Sequence, residues 1–335
     1  MTTETRSGRR RKGGGRSAEE LMVPKAEFRS YYGRAVLKPP VWTHDIAAYL
    51  FTGGLAAGSS LVAAGADLTG AATVRRAGRA TSMGALLASS YFLVKDLGRP
   101  ERALNMLRVA RPTSPMSMGS WILTGFGGAA GVAAVSEAAV PLVARGRLGV
   151  AGRLAVGAGR PAGLAAAALA PALATYTAVL LADTAVPSWH EAYPELPFVF
   201  AGSALASGAG MGLIAAPHAE SGPVRRLAVT GAAVELLAAQ TITHRLGLLS
   251  EPYREGRPGR MLRAGEALTA AGVAGAVLGR RSRVIAALSG TSLLAASLLT
   301  RFGIFEGGVA STKDPKYTVV PQRRRLSEGR PARSD

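Results

Sequence analysis

The chain has 335 residues, of which 48% are hydrophobic and only 18% charged, with a mean hydropathy of +0.20, a balance that favours a membrane protein over a soluble domain. Its formal charge of +19 is spread through connectors and tails with no nucleic-acid-binding pattern around it, so lipid headgroups and acidic proteins are the expected partners and nucleic acid is not. No cysteine is present, which excludes a disulfide and any thiolate-ligated iron–sulfur cluster in this subunit.

Residues 1–40 read as a flexible basic arm containing Arg9, Arg10, Arg11 and Lys12, with no apolar stretch placed as in a cleavable signal peptide. Eight apolar stretches then follow, near 45–67, 77–94, 117–140, 161–186, 193–216, 224–245, 260–279 and 284–305. Each has about the length needed to cross the hydrocarbon layer. A soluble alanine-rich bundle is the competing reading, but soluble helices average about 11 to 12 residues. The predicted architecture is therefore all-α, a polytopic integral membrane bundle of eight transmembrane helices over 41–306, with a flexible basic tail from 307 to 335.

The spans are rich in small residues, and Gly54 with Gly58, Gly127 with Gly131, and Gly208 with Gly212 recur at four-residue spacing, which predicts close helix packing. A sequence echo between FTGGLAAGSS at 51–60 and FAGSALASGAG at 200–210 is compatible with two four-helix halves. An even number of spans puts both termini on one side, together with the connectors after spans 2, 4 and 6. The short connectors carry nearly balanced basic charge, so the positive-inside rule does not fix the orientation.

The first of those connectors, DLGRPERALNMLRVARPTSPMSMGSW from Asp96 to Trp121, mixes Arg99, Glu101, Arg102, Arg108 and Arg111 with Pro100, Pro112 and Pro115. Prolines fix backbone shape, so this loop reads as a defined surface suited to docking a partner or closing a pocket. The alternative is a connector whose Arg–Glu pairs only hold neighbouring helices together.

The four histidines, His44, His190, His218 and His244, all fall at span ends or in connectors, so a haem held by two histidines within the bundle is not expected. On the side bearing both termini, His44, Asp45, Tyr176, Asp183, His190 and His244 are able to converge, and Tyr176 and Asp183 fall on one helical stripe. Such groups at a membrane interface serve either as anchors or as hydrogen-bonding and proton-exchanging partners of a quinone. Glu235 and Glu266 lie within spans, where a charged carboxylate costs about 2.5 to 3.5 kcal/mol, and form a candidate proton path.

Three blocks, KPPVWTHDIAAYLFTGGLAAGS from Lys38, the loop from Asp96, and YTAVLLADTAVPSWHEAYPELPFVFAGSALASGAG from Tyr176, resemble the NrfD/PsrC family of polysulfide-reductase-type membrane subunits over roughly 38–305. The resemblance implies a haem-free, multi-pass subunit of the cytoplasmic membrane that binds menaquinone or another quinone beside a four-cluster ferredoxin-like iron–sulfur partner, itself joined to a molybdopterin catalytic subunit. It points to His44, Asp45 and Tyr176 as quinone-site groups, although Trp42-Thr43-His44-Asp45 stands where many members have Trp-Thr-Trp-Glu. Arg99, Arg102 and Arg108 would seat the partner and Pro112 to Met116 would shape the pocket rim. Competing function classes are a proton-coupled secondary transporter working through Asp183, Glu235 and Glu266, and a structural membrane tether.

Overall fold

The structure, a computed structural model, describes residues 36–280 and 282–327, without the side chains of residues 100 and 102–104. The expected basic arm therefore lies outside the described residues up to position 35. The rest is helical, in the order α1 (His44–Thr69), α2 (Ala72–Asp96), α3 (Pro115–Ala144), α4 (Val150–Ala182), the short α5 (Pro187–Glu191), α6 (Leu196–Ala215), α7 (Ser221–Arg245), the single turn α8 (Glu251–Arg254), α9 (Gly256–Leu278), α10 (Arg283–Lys313) and α11 (Lys316–Ser327). A 3-10 helix, Pro100–Leu107, occupies the loop between α2 and α3.

Helix ends follow local chemistry. Thr43 caps α1 by accepting from the Asp45 amide, and Gly70 closes it at φ +74°, a conformation that favours glycine. Ser114 accepts from the Ser117 amide just before Pro115, so α3 begins with a side-chain cap and a proline that needs no hydrogen-bond partner for its nitrogen.

Six helices, α1, α3, α4, α6, α9 and α10, are long and apolar enough to cross a membrane. The protein is a multi-pass membrane helix bundle. Helices α2 and α7, expected as the remaining two of eight spans, have 25 residues each but fall short in apolar character. Three of their charged residues point inward: Arg79, Arg225 and Glu235 are all buried.

Successive long helices pack as antiparallel pairs, α1 with α2, α3 with α4, α6 with α7 and α9 with α10, and α6 also contacts α1, α4 and α10. The α1–α6 contact joins the two echoing sequences. Gly58 lies against the backbone of Ala204 and Gly208, where no side chain larger than hydrogen fits. Small residues let helices in lipid gain dispersion energy by close approach, which explains the echo as an interface. Gly202 and Gly231 play the same part between α6 and α7, whereas Gly131, expected in a packing surface, meets nothing within 4 Å.

Near the ends of α1, α3 and the starts of α2 and α4, a buried ionic knot ties the first four helices. Arg79 donates to Glu137 at 3.1 Å and to Asp67 at 3.3 Å, and Arg75 reaches Glu137 at 2.6 Å. Gly163 makes room, since a Cβ there would come within 2.8 Å of Arg79 Nη2. Each charge is compensated, and removing one partner would leave another buried and unpaired, the costly case.

The expected tail from residue 307 is corrected in its first two thirds. Helix α10 continues to Lys313 and α11 reaches Ser327. Gly307 and Gly308 leave grooves that the rings of Tyr253 and Trp189 fill, and Trp189 Nε1 donates to the Ile304 carbonyl at 2.8 Å, so packing holds the helix past the apolar stretch. Lys316 then pairs with Glu251 at 2.8 Å and tethers α11.

Candidate functional site

The start of α1, the end of α2, the Asp96–Trp121 loop, the end of α4 and α11 lie on one face, here the loop face. There the Thr43 amide and hydroxyl both donate to Asp96 Oδ1, at 3.2 and 2.9 Å, and Lys95 Nζ pairs with Asp45 at 2.9 Å. The α1 terminus is thereby pinned to the α2 terminus. His44 turns the other way: its Nε2 lies 3.2 Å from Glu306 Oε1 and its ring stacks on Phe302, with the side chain 63% exposed. Glu306 also faces Arg257 at 3.4 Å. Trp42 stacks on the buried Trp189 and covers the space beneath.

Tyr176 lies deeper in α4. Its ring packs against Gly119 of α3, where a Cβ would collide with it, and its hydroxyl is buried without a hydrogen-bond partner among the described residues. A buried polar atom left unpaired calls for an explanation, and a ligand atom is one. Gly119 is the fifth residue of α3, four positions after the Pro115 that begins the helix.

Asp183 does not continue that environment, because it is the C-cap of α4 and lies outside the helix proper. It lines a cavity of about 450 Å3 with His190, Glu191, Tyr317 and Arg325. His190 Nδ1 donates to the Ala182 carbonyl at 3.0 Å, and Arg325 pairs with Glu191. The structure thus brings Asp183 and His190 together, while His44, Asp45 and Tyr176 face α10, α2 and α3 respectively. His244 is exposed at the end of α7.

In the loop, Arg99, Glu101, Arg108 and Pro112 are exposed, and neither arginine nor Glu101 forms an ion pair among the described residues. The side chain of Arg102 lies outside the described residues. Ser117 Oγ donates to the Val109 carbonyl and accepts from the Arg111 amide, both at 3.0 Å, which folds the second half of the loop against α3. Val109, Met116, Met118 and Trp121 remain exposed beside these charges.

The two span carboxylates meet in one cavity. A space of about 260 Å3 between α7, α8, α9 and α10 is lined by Glu235, Gln240, Tyr253, Glu266, Thr269 and Thr300, with Val199, Leu236, Leu262 and Ile304 as apolar walls. Glu235 is ten residues from the end of α7, about 15 Å along the helix axis from the loop face. Thr300 Oγ1 donates to Glu235 Oε1 at 2.8 Å. The Tyr253 hydroxyl is buried and unpartnered, and burial pushes that phenol well above its ordinary pKa.

Next to Thr300, Arg301 is fully buried, a residue that sequence reasoning did not single out. Its Nη2 donates to the Phe200 carbonyl at 2.7 Å and its guanidinium carbon lies 3.7 Å from the Phe200 ring centroid. Gly54 of α1 provides the space. An arginine in the middle of an apolar span was the available signal. Among the described residues, no group of three or more His, Asp or Glu is arranged to hold a metal.

The family model for Polysulphide reductase, NrfD, matches residues 35–250, which takes in α1 to α7 with the loop. The chain belongs to the NrfD family. None of the curated proteins compared with it matches. NrfD proteins are membrane subunits of molybdoenzyme complexes and interact with quinones. The matched stretch of this NrfD chain contains His44, Asp45, Tyr176, Asp183 and Glu235, whereas Glu266, Arg301 and Glu306 lie beyond it.

Proposed function

We propose that this NrfD subunit is the quinone-interacting anchor of a molybdopterin oxidoreductase in the cytoplasmic membrane, passing electrons between a four-cluster iron–sulfur partner and the quinone pool. The observation that carries this reading is the Tyr176 hydroxyl, buried and unpartnered among the described residues, on a ring packed against Gly119 of α3. A quinone carbonyl is an acceptor that such a hydroxyl lacks, and the flat ring against Gly119 leaves the phenol fixed in direction. The quinone, when bound, supplies the two-electron, two-proton chemistry. Tyr176 orients it, and Asp183 with His190 offers proton-exchanging groups towards the aqueous side.

His44 and Asp45 complete the proposed site from the start of α1. Each has a present partner, Glu306 and Lys95, so their part is to hold and exchange protons at the rim. Arg99, Glu101, Arg102 and Arg108, with Pro112 and Pro115, are assigned to seating the iron–sulfur subunit. The exposed charges of Arg99, Glu101 and Arg108, which form no ion pair among the described residues, lie in the same loop as exposed Val109, Met116 and Trp121 and suit a protein interface, with apolar anchors and a charged rim.

We also assign Glu235 and Glu266 to a proton path, because a single cavity joins them. A transporter would call on Asp183 as well, but that residue lines a different cavity. Nor is α4 broken at its prolines, since it continues through Pro161 and Pro171. The test is binding of a quinone analogue to the purified subunit. Tyr176→Phe is expected to weaken binding about 2- to 12-fold, the worth of one hydrogen bond. Unchanged affinity in both Tyr176→Phe and His44→Ala would overturn the site.

A further inference from the structure

The opposite face, formed by the ends of α1, α3, α6 and α9 and the starts of α2, α4, α7 and α10, has an arginine-lined crevice of its own. Two adjoining cavities of about 740 and 300 Å3 lie between the start of α7, the end of α9 and the start of α10, sharing His218, Ser221 and Arg225. Arg226 and Arg280 line the first and Arg283 the second, and among the described residues no Asp or Glu lines either. The neighbouring carboxylate, Glu220, is engaged elsewhere, accepting from the Thr73 and Val74 amides at 3.0 Å.

Two of the arginines are fixed by helix ends. Arg225 Nη1 donates to the Ala276 carbonyl at 2.7 Å, and Arg283 Nη1 donates to the Leu213 carbonyl at 3.0 Å. They satisfy terminal carbonyls of α9 and α6 and in doing so hold two positive charges at the rim. Arg226 and Arg280 are exposed and form no ion pair among the described residues. Four guanidinium groups therefore surround a space that offers an anion no competing carboxylate. Below them the wall turns apolar at Val229, Ala276 and Val277, and Leu278 is 83% exposed.

We propose that this crevice binds the headgroup of an anionic phospholipid, its phosphate between Arg226 and Arg280 and its acyl chain along Val229 and Val277. Charge complementarity and position select the occupant. The crevice sits at the end of α9 and the start of α10, both apolar enough to cross a membrane, so it lies at headgroup depth with an apolar wall leading inward. The site rests on the membrane location of the bundle and not on the quinone assignment.

The test uses the full-length protein in a neutral detergent, titrated with phosphatidylglycerol, phosphatidylcholine or inorganic phosphate, with bound lipid counted by native mass spectrometry. The wild type is expected to retain phosphatidylglycerol selectively. The double variant Arg226→Gln/Arg280→Gln is expected to retain it roughly 30-fold more weakly, the loss of two basic side chains at a membrane surface. Arg145→Gln/Arg147→Gln, altering exposed arginines of the same face outside the crevice, is expected to change nothing. Equal retention of phosphatidylcholine, full displacement by inorganic phosphate, or equal losses in the two double variants would overturn the proposal.

Discussion

Thr300 hands its hydroxyl hydrogen to Glu235 at 2.8 Å across the α7–α10 contact, one residue before the fully buried Arg301. The carboxyl is thus held by a hydroxyl in a span region where an isolated charge is expensive, while the guanidinium of the next residue donates instead to the Phe200 carbonyl. Glu235→Gln keeps an oxygen that accepts from Thr300 but cannot carry a proton. The expected outcome is normal assembly with quinone-coupled proton uptake reduced at least about tenfold. Proton uptake by reconstituted complex measures this, and unchanged uptake removes Glu235 from the path.

The Gly58 contact with Ala204 and Gly208 sets the α1–α6 distance. Gly58→Leu is expected to lower stability by about 1 to 3 kcal/mol or more, because backbone rather than a flexible side chain stands in the way. Thermal unfolding in detergent reads the loss. Gly131→Ala, with nothing within 4 Å, is expected to be neutral or slightly stabilising.

Helix positions were legible in the sequence because apolar length is a direct requirement of the bilayer. The weak cases, α2 and α7, are the helices whose Arg79, Arg225 and Glu235 turn inward, so their composition resembles that of surface helices while their placement does not. The continuation past residue 306 was hidden for a different reason. Gly307 and Gly308 look like linker residues until Tyr253 and Trp189, more than fifty positions away in sequence, are seen to fill the grooves they leave. Arg301 was overlooked similarly, since its acceptor, the Phe200 carbonyl, carries no side-chain signature. Tyr176 was visible as a candidate, but its unpaired hydroxyl depends on Gly119, and the shared stripe with Asp183 ends where Asp183 leaves the helix as a cap.

Helix α11 is tethered by a pH-sensitive pair. The hydrogen bond from Lys316 pulls the Glu251 carboxyl below its ordinary pKa and raises that of Lys316, and Tyr317 donates to the same carboxylate at 3.2 Å. A lowered carboxyl pKa stabilises above its unfolded value and is lost as pH falls through the folded one. A raised lysine pKa stabilises below its unfolded value and is lost as pH rises through the folded one. The tether is therefore expected to hold through neutral pH and to loosen at both extremes. Proteolysis at α11 as a function of pH checks this, and Glu251→Gln is expected to flatten the profile.

Arg99 and Arg108 are exposed and form no ion pair among the described residues. Reversing Arg99 and Arg108 to Glu is expected to leave the subunit's own unfolding within about 0.5 kcal/mol. Recovery of the iron–sulfur partner by detergent pull-down is expected to fall several-fold. Undiminished recovery would leave the loop as a helix connector only.

Because the Tyr176 hydroxyl has no partner among the described residues, Tyr176→Phe is expected to preserve or slightly raise stability while weakening quinone-analogue binding. A large loss of stability would mean that the hydroxyl serves the fold.

Photo-crosslinking of the purified complex with an azido-quinone, followed by peptide mapping, tests the quinone-anchor assignment most directly. Labelling is expected in the first two turns of α3 and the last two turns of α4, around Gly119 and Tyr176, and is expected to be competed by unmodified quinone. Absence of competed label, or label confined to the cavity between α7 and α9, would contradict it.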